Sequence, residues 1–377
     1  MSETHAQTEP SKIDWVLFLS LLPILGAGLI TMNSFTEDTP FASRQFIWIC
    51  ISVLIFFVFS FIDFRFLRRT NVLVVLFSGT VILLLTLFTV GSVVKGAQSW
   101  FYFGSVAFQP SDPAKLVLVA MLAKYFSRRH VEIAHIRHIL ISGLYAFVLF
   151  VLILVQPDFG SAIIIFLIWL GMVLVSGISK KHLAAVFFIG LISFAALWSF
   201  GFEEYQKQRI VTFLNPLTDI RGAGYNVYQS TVAIGSGQEL GKGVGQGTQS
   251  RLKFLPEYET DFIFAAFAEE WGFAGVILLF ILWGIFIWRI LLNALYGATN
   301  FEILFGVGLA IYFMSHFAVN VGMNIGLLPV TGLVLPFMSY GGSHLLTEFA
   351  GLGILMGMRR YKRAAHKEHI KNEFLGY

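Results

Sequence analysis

The chain has 377 residues, 56% hydrophobic and 13% charged, with 26 Lys and Arg against 22 Asp and Glu for a net charge of +4. A soluble domain carries about 25% charged residues, so this composition, with 40 Phe and a mean hydropathy of +0.76, excludes an ordinary globular protein. The single cysteine, Cys50, excludes an internal disulfide, and the basic balance suits lipid headgroups without any nucleic acid.

The polar stretch Met1–Ile13 reads as an N-terminal tail. No A-x-A-like site follows the first apolar run, so that run reads as an uncleaved anchor. The predicted spans are Trp15–Thr31, Phe46–Phe64, Val72–Gly91, Asp112–Phe126, Ile139–Gln156, Gly160–Gly177, His182–Phe200, Phe262–Ile290, Phe301–Asn324 and Gly342–Met358. Crossing about 30 Å of hydrocarbon takes about 17–25 residues, and each span is helical because lipid offers no partner to an unpaired backbone group. The fourth is the shortest and weakest.

Orientation follows from Lys and Arg. Arg65, Arg68, Arg69, Arg128, Arg129, Arg137, Lys180, Lys181, Arg289, Arg359, Arg360, Lys362 and Arg363 all fall on one side if there are ten spans. The other side carries Arg44 and Lys95 in its short connections. The expected fold is an all-α polytopic integral membrane protein of about ten transmembrane helices, with both termini cytoplasmic. A large extracytoplasmic loop joins helices seven and eight. The whole chain, 1–377, is one membrane domain with tails at 1–13 and 359–377 and an extracytoplasmic lobe at 201–261. Phe202, Tyr205, Phe213, Leu214, Tyr225, Tyr228, Phe254 and Leu255 give that lobe apolar anchors, so it reads as ordered. A loop of this length is commonly functional.

Gly235-Ser236-Gly237-Gln238-Glu239-Leu240-Gly241-Lys242-Gly243 looks like a phosphate loop. It fails as one, because the G-x-x-x-x-G-K-[ST] spacing is wrong and no Ser or Thr follows Lys242. Charges at or within spans are costly, about 2.5–3.5 kcal/mol near the bilayer centre; here they are Asp112, Lys115, Asp158, Asp261, Glu269, Glu270 and Glu348. Each has a structural reading as a cap, a helix pair or a dipole complement. Asp261 has an unusual setting, since Leu255–Thr260 delivers it from the lobe to the membrane surface. A carboxylate there is reachable by a lipid-linked headgroup and is a candidate general base. Arg209, Arg251 and Lys253 of the lobe, with Lys95 and Lys115, are cations that suit a departing pyrophosphate. Gln156-Pro157-Asp158-Phe159-Gly160 makes a tight turn between spans five and six. Leu327–Ser343, apolar, uncharged and broken by Pro and Gly, reads as a re-entrant segment lining a cavity.

At these residues the sequence resembles the SEDS family (shape, elongation, division and sporulation) over nearly its whole length. The resemblance rests on Phe108-Gln109-Pro110-Ser111, Gln156-Pro157-Asp158, Phe213-Leu214-Asn215-Pro216, Gly222-Ala223-Gly224-Tyr225 and Gln229-Ser230. It continues through Ala233-Ile234-Gly235-Ser236-Gly237, Phe254-Leu255-Pro256-Glu257, Thr260-Asp261-Phe262-Ile263-Phe264-Ala265 and Ser339-Tyr340-Gly341-Gly342-Ser343. Gly247-Thr248-Gln249-Ser250 and Leu328-Pro329-Val330-Thr331-Gly332 look like the elongation branch rather than the division branch.

The resemblance implies a peptidoglycan glycosyltransferase that polymerises lipid II in the bacterial cytoplasmic membrane, with an extracytoplasmic active site. Its implied partners are a class B penicillin-binding protein (a transpeptidase), the elongation machinery and membrane lipid. The family's essential carboxylate falls on Asp261 and its charged pair on Asp112 and Lys115. Gln156, Asp158, Arg209, Lys253, Ser339, Gly341 and Gly342 complete the candidate substrate site. No cofactor is required by this reading, and a divalent cation, Mg or Mn, on the pyrophosphate stays open. The sequence departs from the family pattern at Asp112 where Glu is usual, Ser99 where Arg commonly precedes Trp, His344 where Ser or Ala is usual, and Gln238-Glu239 within a Gly-rich run. The competing readings are a lipid II flippase, which would depend on charges through the bilayer depth such as Glu269, Glu270 and Glu348, and a scaffold, which would not need Asp261.

Overall fold

The computed structural model describes residues 13–34, 41–94, 97–104, 106–127, 136–201, 207, 211–213 and 223–360. Lys95, Arg209, most of both tails and most of 202–222 lie outside the described residues. All ten predicted spans are helices: α1 (Trp15–Asn33), α2 (Phe41–Ser60), α3 (Thr70–Val90), α4 (Ser111–Ser127), α5 (Ile136–Val155), α6 (Phe159–Val175) and α7 (Lys180–Ala196). After a shorter α8 (Ala223–Ser236) come α9 (Ile263–Leu295), α10 (Asn300–Asn324) and α11 (Gly342–Arg360). Six of them, α1, α2, α3, α5, α9 and α10, are apolar over at least 18 residues, enough to cross a membrane, and α6 is apolar over 17.

The weak hydropathy of the fourth span has a physical cause. α4 packs against α3, α6, α10 and α11, and Ala114, Leu118, Val119, Ala120, Leu122 and Ala123 are all buried. A helix enclosed by protein needs no lipid-facing apolar surface, so small and polar residues are tolerated. α7 is the opposite case: Phe187, Phe188, Ile189 and Ile192 are all exposed, as lipid-facing side chains are.

One local element departs from the all-helical expectation. The connector between α3 and α4 is a small antiparallel sheet in the order β1 (Ser92–Val94), β2 (Ala97–Phe103) and β3 (Val106–Phe108). Ser92 pairs with Trp100 and Phe101 with Phe108. Aromatic residues in β2 favour a pleated surface, and the strands carry the chain to Gln109 at the threshold of α4.

α2 and α11 form the most extensive helix pair. Gly353 makes their close approach tolerable, because a β-carbon there would stand 2.6 Å from Phe59 Cβ and 2.9 Å from Phe56 O. Small residues at such crossings let two backbones meet inside lipid.

At the end of the bundle away from Asp261, Asp14 ties three helices together. It caps α1 by accepting from Leu17 N at 3.1 Å, and it accepts from Arg289 Nη2 at 2.6 Å and Asn293 Nδ2 at 2.7 Å on α9. Arg359 Nη1 of α11 lies 3.6 Å away. Burial pushes the Asp14 carboxyl up, yet the bonds from Asn293 and Arg289 outweigh it and hold the group below its ordinary value of 3.8. A lowered folded-state value means that this contribution is complete above pH 3.8 and is lost as pH falls through the lowered value. Asp14→Ala is therefore expected to cost about 2–3 kcal/mol at neutral pH and to erase part of the acid-side loss of stability. Thermal melts of the detergent-solubilised protein across pH 3–7 check both; parallel curves for variant and wild type would refute the assignment.

Candidate functional site

Asp261 is delivered by an anchored turn. Leu255, Tyr258 and Phe262 are buried in a small apolar cluster with Ala233, Ala265 and Ala266, and between them the backbone folds back through Phe262 N to Glu257 O at 3.1 Å. Three consecutive carbonyls are then gripped from the far side. Tyr340 N donates to Glu259 O at 2.8 Å, Ser339 Oγ to Thr260 O at 2.6 Å, and both Asn320 Nδ2 and Asn324 Nδ2 to Asp261 O at 3.0 Å. The clamp holds main chain rather than side chain. Asp261 itself is half-buried, and its Oδ2 faces Gly332, where a β-carbon would stand 3.8 Å away.

The segment that supplies these donors is non-helical and buried, the condition under which irregular backbone survives at membrane depth. Thr331, Leu333, Leu335, Phe337, Met338 and Ser339 are all buried. Several backbone groups that a helix would have satisfied find specific partners instead. Asn320 Nδ2 donates to Leu333 O at 2.7 Å, Leu335 N to Ser339 Oγ at 2.8 Å, and Phe337 N to Glu348 Oε2 at 3.1 Å. Gln45 of α2 reaches in with Nε2 on Ser339 O at 3.0 Å. Phe337 holds φ at 60°, a left-handed conformation uncommon for an aromatic residue. Its ring is fixed among Phe286, Phe313 and Phe349 at 5.2–5.4 Å between centroids.

The corner Ser339–Ser343 joins this clamp to the charged pair. At its far end Ser343 Oγ donates to Asp112 Oδ2 at 3.0 Å, and Asp112 Oδ1 lies 3.2 Å from Lys115 Nζ. The shorter Asp side chain therefore does reach Lys115. Both residues are 1% exposed, so they form the floor beneath Gly341 and Gly342 rather than an open surface. Asp158 caps α6 through Ser161 N at 3.0 Å and accepts from Gln109 Nε2 at 2.8 Å. The following Gly160 packs against Thr331 O, bringing the tight turn beside the irregular segment. Gln156 points elsewhere, donating to Leu84 O on α3 at 2.8 Å, where it braces the bundle. Lys253 is exposed on the same loop as Asp261, as is Arg251. Among the described residues no three His, Cys, Asp or Glu side chains converge as a metal-ligand set.

The Gly-rich run and the two glutamates of α9 explain one another. α9 breaks at Gly272, whose φ of 65° and ψ of −168° are not helical. The hydrogen bonds lost there are remade with the loop. Lys242 N and Gly243 N donate to Glu269 O and Glu270 O at 3.0 Å, while Phe273 N and Ala274 N donate to Gln238 O and Glu239 O at 2.8 and 2.9 Å. Glu269 then accepts from Lys242 Nζ at 2.7 Å and Gln249 N at 3.0 Å, and Glu270 from Gly245 N at 2.6 Å. These glutamates hold a loop inside a helix break. Gly272→Ala would place a β-carbon against the main chain of Glu239–Gly241 at a φ that L-residues resist. The expected cost is about 3 kcal/mol, read as a lowered thermal midpoint of the full-length protein; an unchanged midpoint would show that the loop yields freely.

Asn320 and Asn324 were not singled out from sequence, although two amides four residues apart in an apolar span are themselves a signal. Gln45 carried no such mark, and His344 stood out only as a departure from the family pattern.

A family model described as "Cell cycle protein" and named for FtsW, RodA and SpoVE matches residues 12–364. The peptidoglycan glycosyltransferase MrdB of Escherichia coli (strain K12) is 39% identical over 287 residues, covering 76% of this chain and 77% of that protein. Among solved structures, a chain of a peptidoglycan synthase complex described as coordinating polymerization and crosslinking aligns with a TM-score of 0.81 at 30% identity, covering 93% of this chain and 98% of that one. The rod shape determining protein RodA of Thermus thermophilus aligns with a TM-score of 0.70 at 29% identity over 93% and 97% of the two chains.

Proposed function

Because this chain belongs to the FtsW/RodA/SpoVE family and is a peptidoglycan glycosyltransferase of that family, we propose that it polymerises lipid II into β-1,4-linked glycan strands during cell elongation, with Asp261 as general base. The acceptor's 4-hydroxyl oxygen attacks the anomeric carbon of the donor sugar while Asp261 takes the hydroxyl proton. The bond from that carbon to the α-linked undecaprenyl pyrophosphate breaks, and the leaving group departs with the electron pair. One displacement inverts the centre, so one base suffices and no protein nucleophile is involved. Lys253 on the same loop, with Arg209, balances the charge of the pyrophosphate, while Lys115, expected to join them, is buried against Asp112; a divalent cation on that group would act in the same sense.

The observation that carries this reading is the clamp on the carbonyls of Glu259, Thr260 and Asp261. It holds the main chain that carries the half-buried Asp261, and a base whose backbone is held before its substrate arrives supports this reading. The transport reading draws on Glu269, Glu270 and Glu348, and each of these is engaged by protein groups. We further place the chain in the bacterial cytoplasmic membrane, with both termini inside and the Asp261 end outside. Its partner is a class B penicillin-binding protein that crosslinks the strands.

The test is synthesis of labelled glycan from lipid II by the full-length protein, with a partner that carries only its transpeptidase domain. Strands cleaved by a muramidase support the proposal. No strands, together with lipid II movement across vesicles, would replace it with the transport reading.

A further inference from the structure

Beneath the Ser339–Ser343 corner lies a set of ionisable side chains that the chemistry above does not use. His344 Nδ1 lies 3.1 Å from Asp112 Oδ1 on α4. Its Nε2 lies 3.0 Å from Glu348 Oε1, one turn further along α11, at ion-pair distance but off the line of a hydrogen bond. Asp112 also faces Lys115, and the second oxygen of Glu348 accepts from Phe337 N. Asp112, Lys115, His344 and Glu348 are all buried, none more than 6% exposed. α10 packs Tyr312 and His316 against them, the His316 ring 4.7 Å from that of His344 between centroids.

Ionised carboxylates accept hydrogen bonds and donate none. An imidazole that presents one nitrogen to each of two carboxylates suits both only with a proton on each nitrogen. The set then balances, two negative charges against two positive. Without the imidazolium, Asp112 and Glu348 share Lys115 alone and leave a net negative charge in an interior where that is costly.

We infer that His344 is a positioning residue: it bridges Asp112 of α4 to Glu348 of α11, and through the bond from Glu348 to Phe337 N it holds the irregular segment that clamps the Asp261 turn. The bridge stands on the geometry, and its bearing on polymerisation rests on the function proposed above. The ring, carried on α11, meets Asp112 of α4 at one nitrogen and Glu348 of its own helix at the other.

Four full-length proteins test it: wild type, His344→Gln, Glu348→Gln and the double variant, each measured for thermal midpoint in detergent and for the rate of glycan formation. His344→Gln keeps roughly the volume of the ring and removes the charge, so it is expected to lower the midpoint and slow polymerisation by about tenfold. Adding Glu348→Gln returns the set to neutrality and is expected to recover most of both losses. A histidine that merely fills space gives a double variant no better than the single one, which would overturn the bridge, as would a His344→Gln protein as stable as wild type. Coupled midpoints with polymerisation unchanged in every variant would overturn the positioning role. A wild type that makes no glycan would remove the proposed function and the positioning role together, while the midpoints still decide the bridge.

Discussion

Asp261→Asn is expected to yield a protein that folds, binds its proposed partner and makes no measurable glycan from lipid II. The fold is expected to survive because the clamp from Asn320, Asn324, Ser339 and Tyr340 grips backbone carbonyls, which the substitution leaves in place. The amide matches the carboxylate in shape and cannot take a proton. General-base assistance contributes about 10²–10⁴-fold, enough to move strand synthesis below detection in a gel assay with labelled substrate. The control is the thermal midpoint, which should stay within a few degrees of wild type because the clamp on the carbonyls is kept. Strands made at the wild-type rate by Asp261→Asn would move the base to another residue.

Asn324→Leu has the second largest expected effect, and it acts at one remove. Asn324 Nδ2 donates to Asp261 O, and its Oδ1 accepts from Ala265 N at 3.2 Å, so one side chain fixes both ends of the turn leading into α9. Leucine fills the space and strands these groups, each costing about 1–3 kcal/mol when buried without a partner. A misplacement of about 1 Å at a reacting group can cost about 10²-fold, which is the fall expected in kcat. KM for lipid II should change little, because Lys253 and the other cations are untouched. Asn320→Leu should behave alike, since Asn320 holds Asp261 O together with Leu333 O. A pair of variants with raised KM and normal kcat would show that these amides serve substrate binding instead.

What could be read from the chain, and what could not, divides along a physical line. Apolar length marked the spans, because lipid makes the same demand on each helix that faces it. The fourth span was faint for the same reason that α4 is central: enclosure by other helices removes the demand. Asp261 and the Asp112–Lys115 pair stood out because charge near hydrocarbon is costly wherever it occurs. Their surroundings did not stand out. The amides of Asn320 and Asn324 are uncharged, and their partners are backbone carbonyls 59 and 63 residues away, a separation no local pattern encodes. Glu269 and Glu270 looked like residues of a polar pathway, and only the backbone of residues 238–243 shows that they secure a broken helix. The sheet of β1–β3 escaped because its strands are three to seven residues long, too short for periodicity to register.

The pairing of α2 with α11 also bears on how the protein is made. Ser60 ends one helix and Gly342 begins the other, so about 280 residues separate them, and at about 5–20 residues per second a ribosome needs roughly 15–55 s to bridge that interval. Throughout it α2 sits in the membrane without the helix that covers it best, and Gln45 waits for the carbonyl of Ser339. A nascent chain halted before its last helix would therefore present an amide and an uncovered helix face to lipid. Such a chain offers quality-control proteases a clear mark of incompletion, and loss of α11 should shorten the protein's lifetime in the cell far more than loss of the N-terminal tail 1–12.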